Sequence, residues 1–142
     1  MSSEFAADRK RRGFTLVELM VVIVIIGLLA GIVTINVRAY LIKARQSTAR
    51  EEIRRVAAAL EAFYTACGRY PTNDEGLEVL AEATDKLPEP LLSNVPTDPW
   101  ERPYEYNCPG ATKPYEVICY GADGREGGQG ADADICSDNL KE

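Results

Sequence analysis

The spacing of apolar positions changes once along this chain, and the change divides it. Residues 19–35 are uncharged and almost wholly apolar. With 14–17 before them and 36–37 after, the stretch reaches about 24 residues, where about 20 suffice to span a bilayer. Residues 38–66 contain no proline or glycine, and Ile42, Ile53, Val56, Leu60, Phe63 and Tyr64 recur there at near-helical spacing among charged side chains. Together the two patterns predict one continuous helix over residues 14–66, about 80 Å long at 1.5 Å per residue. Its first half is apolar all round and its second half amphipathic. Gly68 stops it, and Pro71 reinforces the stop.

Beyond that helix the elements are short. After a turn through residues 69–77, a small amphipathic helix is expected with Leu77, Val79, Leu80 and Leu87 facing inward, ended by Pro88 and Pro90. Residues 104–108 and 115–120 alternate as two strands around a turn containing Pro109, Gly110 and Pro114. A sheet this small must bury one face on another element, so Trp100 and the tyrosines at 104, 106, 115 and 120 are expected to cover the long helix. The fold class is α+β.

Charge changes the reading of the apolar run. Arg9, Lys10, Arg11 and Arg12 stand directly before it and place the leader on the cytoplasmic side, with Arg38, Lys43 and Arg45 on the far flank as opposing signals. A carboxylate near the centre of a membrane helix costs about 2.5 to 3.5 kcal/mol, so Glu18 requires a partner. No A-x-A cleavage site follows the core, as an ordinary secretory signal would have. Instead the small residue, Gly13, stands before it and is followed at once by Phe14. That order predicts cutting on the cytoplasmic side with the apolar helix retained.

Composition narrows the classes further. The 142 residues allow one small domain and an anchor, and the net charge of −6 combines a basic leader with an acidic C-terminal segment, which argues against nucleic acid as a partner. The chain has no histidine, the commonest general base, and no nucleophile beside a base, so no enzyme is expected. Cys67, Cys108, Cys119 and Cys136 include no C-x-x-C pair; in an exported domain they favour disulfides over zinc, with three pairings open.

Residues 121–134 are the place where site chemistry is expected. Asp123, Glu126, Asp132 and Asp134 stand among glycines at 121, 124, 127, 128 and 130, an oxygen-rich loop suited to calcium. It is not an EF-hand, because Arg125 occupies the third ligand place. The segment 127–132 is similar to one copy of an RTX calcium repeat, but Asp134 stands where a large apolar residue belongs.

The residues Arg12-Gly13-Phe14-Thr15-Leu16-Val17-Glu18-Leu19 resemble the class III signal of type IV pilins and type II secretion pseudopilins. The resemblance implies a prepilin peptidase cut after Gly13, N-methylation of Phe14, and Glu18 as the assembly residue that pairs with a neighbouring subunit's N-terminal ammonium. It divides the chain into a removed cytoplasmic leader (1–13), a transmembrane and assembly helix (14–37) and a periplasmic domain (38–142). Gly27 and Gly31 form a G-x-x-x-G spacing that permits close helix approach. Where the family commonly has proline, and the assembled filament a melted helix, this chain has Ile35; Asn36 is the residue that could weaken the helix there instead.

Further landmarks narrow the resemblance to the major pseudopilin of type II secretion. They are Gly68-Arg69-Tyr70-Pro71-Thr72, Glu75-Gly76-Leu77, Asp98-Pro99-Trp100, Pro103-Tyr104 and Gly121-Ala122-Asp123-Gly124. That family implies a pilin-like fold and self-association into a periplasmic filament that drives exoprotein export. Its implied partners are prepilin peptidase, minor pseudopilins, an inner-membrane assembly platform and secreted exoproteins. A type IV pilin for adhesion, motility or DNA uptake is the alternative. The family also implies a structural calcium, with Asp123 and Asp134 as matching positions, the Tyr120 carbonyl as a backbone ligand and Asp132 as a substitute acidic ligand.

The cysteines depart from the family. A regular hairpin puts Tyr104 opposite Cys119, leaving Cys108 roughly 13 Å from Cys119 at 3.3 Å per residue, beyond disulfide reach. If Tyr120 and Asp134 converge on the metal, the expected pairs are Cys119 with Cys136 and Cys67 with Cys108.

Overall fold

The structure, a computed structural model, describes residues 13–140, the side chains of 33–36 excepted. One α-helix, α1, runs over Leu16–Cys67 without interruption. It passes through the Ile35 and Asn36 positions as helix. The chain divides into two compact units, one up to Ala39 and one from Tyr40 onward.

In the first unit the apolar side chains of α1 are exposed, including Leu16, Ile23, Leu28 and Ile32. Among the described residues, α1 is the one helix long and apolar enough to cross a membrane, with a mean hydropathy of 3.0 in its most apolar window.

In the second unit α1 buries a single face made by Ala49, Ile53, Val56, Ala59, Leu60 and Phe63. The steps of three and four residues keep these positions on one stripe, and each large side chain fully buried there contributes about 1.5–3 kcal/mol. Ile53, Val56, Leu60 and Phe63 are where the periodicity puts them. Ile42 is only half-buried, and Tyr64 turns out of the stripe to stack on Tyr70 with ring centroids 4.7 Å apart. Gly68, at φ +76°, ends the helix, its N–H donating to the Tyr64 carbonyl at 2.7 Å.

The small second helix is shorter than its pattern suggests. A turn through 73–77 leads into one 3-10 turn at Glu78–Ala81, which ends well before Pro88, and Thr84 and Leu87 then pair across a tight bend. Leu77 and Leu80 are nevertheless buried, and Val79 and Leu87 pack beside them. A single turn puts these apolar groups on the core without the length that a stable helix needs.

Three antiparallel strands form the sheet, in the order β1 (Glu105–Asn107), β2 (Glu116–Cys119) and β3 (Ile135–Cys136). The expected hairpin is β1–β2, trimmed at each end. Its register pairs Glu105 with Ile118, which continues to Tyr104 opposite Cys119. Strand β3 has no counterpart in the sequence reading, because two residues carry no measurable alternation. Tyr104, Val117, Cys119 and Ile135 lie on the buried face and join the core of α1. Tyr104 donates its hydroxyl to Glu52 of the helix at 2.5 Å. Burial, and then that carboxylate, push the Tyr104 phenol far above its ordinary pKa, so it stays a proton donor. Tyr115 and Tyr70 both donate to Glu61 at 3.2 Å, closing the upper end of the same helix–sheet seam.

Candidate functional site

Two places carry the candidate chemistry, one in each unit. At the first, Gly13, Phe14 and Thr15 precede α1 in non-helical backbone, and Phe14 is 82% exposed. The Gly13–Phe14 peptide is therefore presented outside the helix, as a cut at that bond requires. The basic leader residues Arg9, Lys10, Arg11 and Arg12 lie outside the described residues.

Glu18 is not near the middle of the apolar helix; it sits in the first turn. Its carboxylate accepts the Thr15 backbone N–H at 3.3 Å and the Thr15 hydroxyl at 3.4 Å, while the Glu18 N–H donates to the Thr15 hydroxyl at 3.2 Å. This is a reciprocal capping box, and a negative charge there also meets the positive end of the helix dipole. The Thr-x-x-Glu spacing before an apolar run was a readable signal for it. It gives Glu18 a partner inside its own chain, beside the residue that cleavage would make the N-terminus. Gly27 and Gly31 have open space where a Cβ would stand.

At the second place, the loop after β2 doubles back on itself. Ala122 N–H donates to the Ala131 carbonyl and Gly124 N–H to the Tyr120 carbonyl, both at 3.0 Å. Gly121, at φ +55°, lies so close to the Asp132 backbone that a Cβ would come within 2.6 Å of the Asp132 carbonyl carbon. Only glycine permits that approach. Gln46 of α1 holds the far side by donating to the Gly130 carbonyl at 2.5 Å.

The acidic side chains described in this loop do not form one cluster. Among the described residues, no three His, Cys, Asp or Glu side chains are placed to share a metal ion. Asp132, expected as a third carboxylate, serves through its backbone against Gly121 and Gly128. Asp123 Oδ1 accepts the Arg125 N–H at 3.2 Å, and Asp134 Oδ2 accepts the Gly127 N–H at 2.7 Å. Asp134 Oδ1, by contrast, is buried with no hydrogen-bond partner. An orphaned carboxylate oxygen is costly unless a cation or water meets it. A cation at Asp134 Oδ1 would meet that cost, and the carboxylates and backbone carbonyls of this loop are the hard-oxygen donor type that calcium takes.

The cysteine pairing does not survive the sheet register. All four cysteines are free. Strand β3 pairs Ile118 with Cys136 and Cys119 with Ile135, a one-residue offset that sends Cys119 and Cys136 to opposite faces of the sheet. Cys119 is on the buried side, its thiol 3.6 Å from Asp98, and Cys136 is on the other. Burial pushes both thiols up to about 11, which leaves little thiolate to start an exchange. Cys108 is turned to the Pro114 carbonyl at 3.4 Å and is not joined to Cys67.

Sequence reasoning named Asp98-Pro99-Trp100 but missed the role of its acid. Asp98, 5% exposed, accepts the N–H groups of Trp100 and Arg102 at 2.9 and 2.8 Å on one oxygen and faces Arg102 Nε at 3.7 Å on the other. An Asp before Pro in a turn is the one local signal of such a bond.

Comparison with known proteins bears on the chain as a whole. Residues 36–138 match the family described as type II secretion system (T2SS), protein G, and residues 8–34 match the prokaryotic N-terminal methylation motif. The type II secretion system core protein G of Pseudomonas aeruginosa is 40% identical, covering 89% of this chain and 94% of that protein. The protein of the same name from Vibrio cholerae is also 40% identical, over 94% and 96%. The crystal structure of the major pseudopilin from the type 2 secretion system of enterohaemorrhagic Escherichia coli shares the fold, with a TM-score of 0.55 at 24% identity over 67% of this chain and 87% of that one. Methylation motif, domain match and shared length with the curated relatives agree, and the chain belongs to the type II secretion system protein G family.

Proposed function

We propose that this pseudopilin is the major subunit of a periplasmic pseudopilus that drives folded exoproteins through the outer membrane. The observation that carries the reading is the exposed apolar half of α1, fronted by the Gly13–Phe14 bond and a capped Glu18. Such a surface requires lipid while the subunit is stored and copies of itself once assembled. Prepilin peptidase removes residues 1–13 and methylates Phe14; the inner membrane holds the helix with its N-terminus cytoplasmic and the domain periplasmic. Minor pseudopilins and the inner-membrane platform are the assembly partners. In the filament, Glu18 exchanges its own helix cap for the Phe14 ammonium of a neighbour.

Calcium completes the loop, with Asp123, Asp134 and the Tyr120 carbonyl among its ligands. A divalent cation supplies the charge that the orphaned Asp134 oxygen lacks, and so stabilises the C-terminal segment.

The test is the mature N-terminal mass together with the secretion phenotype. Loss of residues 1–13, one added methyl group, and loss of exoprotein export on deletion with motility intact are the expected results. Long surface fibres and lost motility on deletion, with export intact, would instead identify an adhesion or motility pilin.

A further inference from the structure

The calcium reading leaves Arg102 unassigned, yet its side chain reaches into the first turn of the acidic loop from outside it. Its stem rises from the Asp98 turn, where Asp98 fixes both its backbone N–H, at 2.8 Å, and its Nε, at 3.7 Å. From there Nη2 donates to the Gly121 carbonyl. Nη1 fills the space over Gly124 that a Cβ would occupy. Gly121 and Gly124 both have left-handed backbone, at φ +55° and +68°. The turn from Tyr120 to Gly124 is thus held between the Arg102 guanidinium on one side and the Asp132 backbone on the other.

Two physical effects of this guanidinium oppose each other. As a positive charge beside a cation site, it weakens calcium by Coulomb repulsion. As a rigid fork fixed by a buried carboxylate, it presets the turn that carries the Tyr120 carbonyl and Asp123, removing an ordering cost from metal binding. Planar donors spaced to engage a carboxylate and a carbonyl together are what lysine lacks. We propose that positioning wins: Arg102, locked by Asp98, is the positioning residue that shapes the first turn of the calcium loop. The inference rests on the calcium reading for its function and on the geometry alone for its structural part.

The experiment compares full-length wild type, Arg102→Lys and Arg102→Met in detergent micelles. Calcium chloride titrations are followed by fluorescence of Trp100, the only tryptophan, which lines the same groove as Arg102. Hydrogen exchange of the Ala122 and Gly124 amides is measured with EGTA present. Positioning predicts calcium affinity weakened about tenfold or more in both variants, as removal of outer-shell partners typically does. It also predicts faster exchange at Ala122 and Gly124 without metal, while the Leu92 amide, bonded to the Leu80 carbonyl at 2.9 Å, keeps its protection and reports an intact core. Arg102→Lys behaving as wild type with Arg102→Met binding calcium more tightly would leave charge alone and overturn the proposal. If the wild type ignores calcium, the calcium reading fails by itself; unchanged Ala122 and Gly124 exchange in the variants would then sink the positioning role, and faster exchange would uphold it.

Discussion

The two halves of α1 have the same local structure and opposite surroundings. In residues 16–32 large apolar side chains point in every direction and stay exposed, Leu28 at 67% and Ile23 at 59%. In residues 49–63 a single stripe is apolar, and Ile53, Val56 and Leu60 are fully buried by the chain's own sheet and loops. Regular helix therefore says nothing about where the stabilising burial comes from. The second half finds its partner within the chain; the first must find it in lipid or in other copies.

Truncation breaks or sustains this contrast most sharply. Leu60→Ala is expected to lower the stability of the folded domain by about 2–5 kcal/mol, read as a shift in the chemical denaturation midpoint. Ile23→Ala should leave that midpoint within about 0.5 kcal/mol of wild type, while weakening filament yield. Equal losses from both would erase the distinction between the halves.

Calcium removal comes next. If the loop binds its ion, EGTA should lower the melting temperature of the full chain, by an amount equivalent to about 2.7 kcal/mol when the ion was at a hundred times its dissociation constant. Asp134→Ala should abolish that response; a melting curve indifferent to EGTA would remove calcium from the account. On the assembly side, Glu18→Ala should leave cleavage and domain stability alone and stop filament growth, whereas Thr15→Ala should cost only a helix cap, about 1 kcal/mol. Normal export by the Glu18 variant would dismiss its assembly role.

The smallest expected effect concerns acid. Arg69 holds Glu75 with paired bonds of 2.6 and 2.7 Å, and with the Thr72 N–H this lowers the Glu75 carboxyl to about 2. Because the folded-state value lies below the unfolded one, the contribution is present above about pH 4.5 and lost as pH falls toward 2. Glu75→Gln should flatten that part of the stability–pH curve by a small amount, since the pair is largely exposed. An unaltered acid limb would show the fork to be energetically idle.

Residues 14–66 as a helix, its apolar and amphipathic halves, its stop at Gly68 and the Tyr104–Cys119 register were all legible, because each is a matter of spacing along one segment. So was the N-terminal methylation motif, a run of consecutive residues. The 3-10 turn at Glu78–Ala81, the two-residue β3 and the backbone role of Asp132 were not, since nothing periodic marks elements that short. The cysteine pairing went wrong for a related reason: flanking a common point does not specify which face of a sheet each side chain takes, and one residue of register reverses it.

The sequence by itself determined the apolar run, the methylation motif, the family resemblance and the apolar stripe of α1, all of which are local patterns in composition and period. Only the tertiary structure decided that Arg102, held by Asp98, reaches the acidic loop, and that an Asp134 oxygen is buried without a partner. Those are relations of direction and distance between side chains, many between segments far apart in sequence, and they become fixed only when packing sets which way each side chain points.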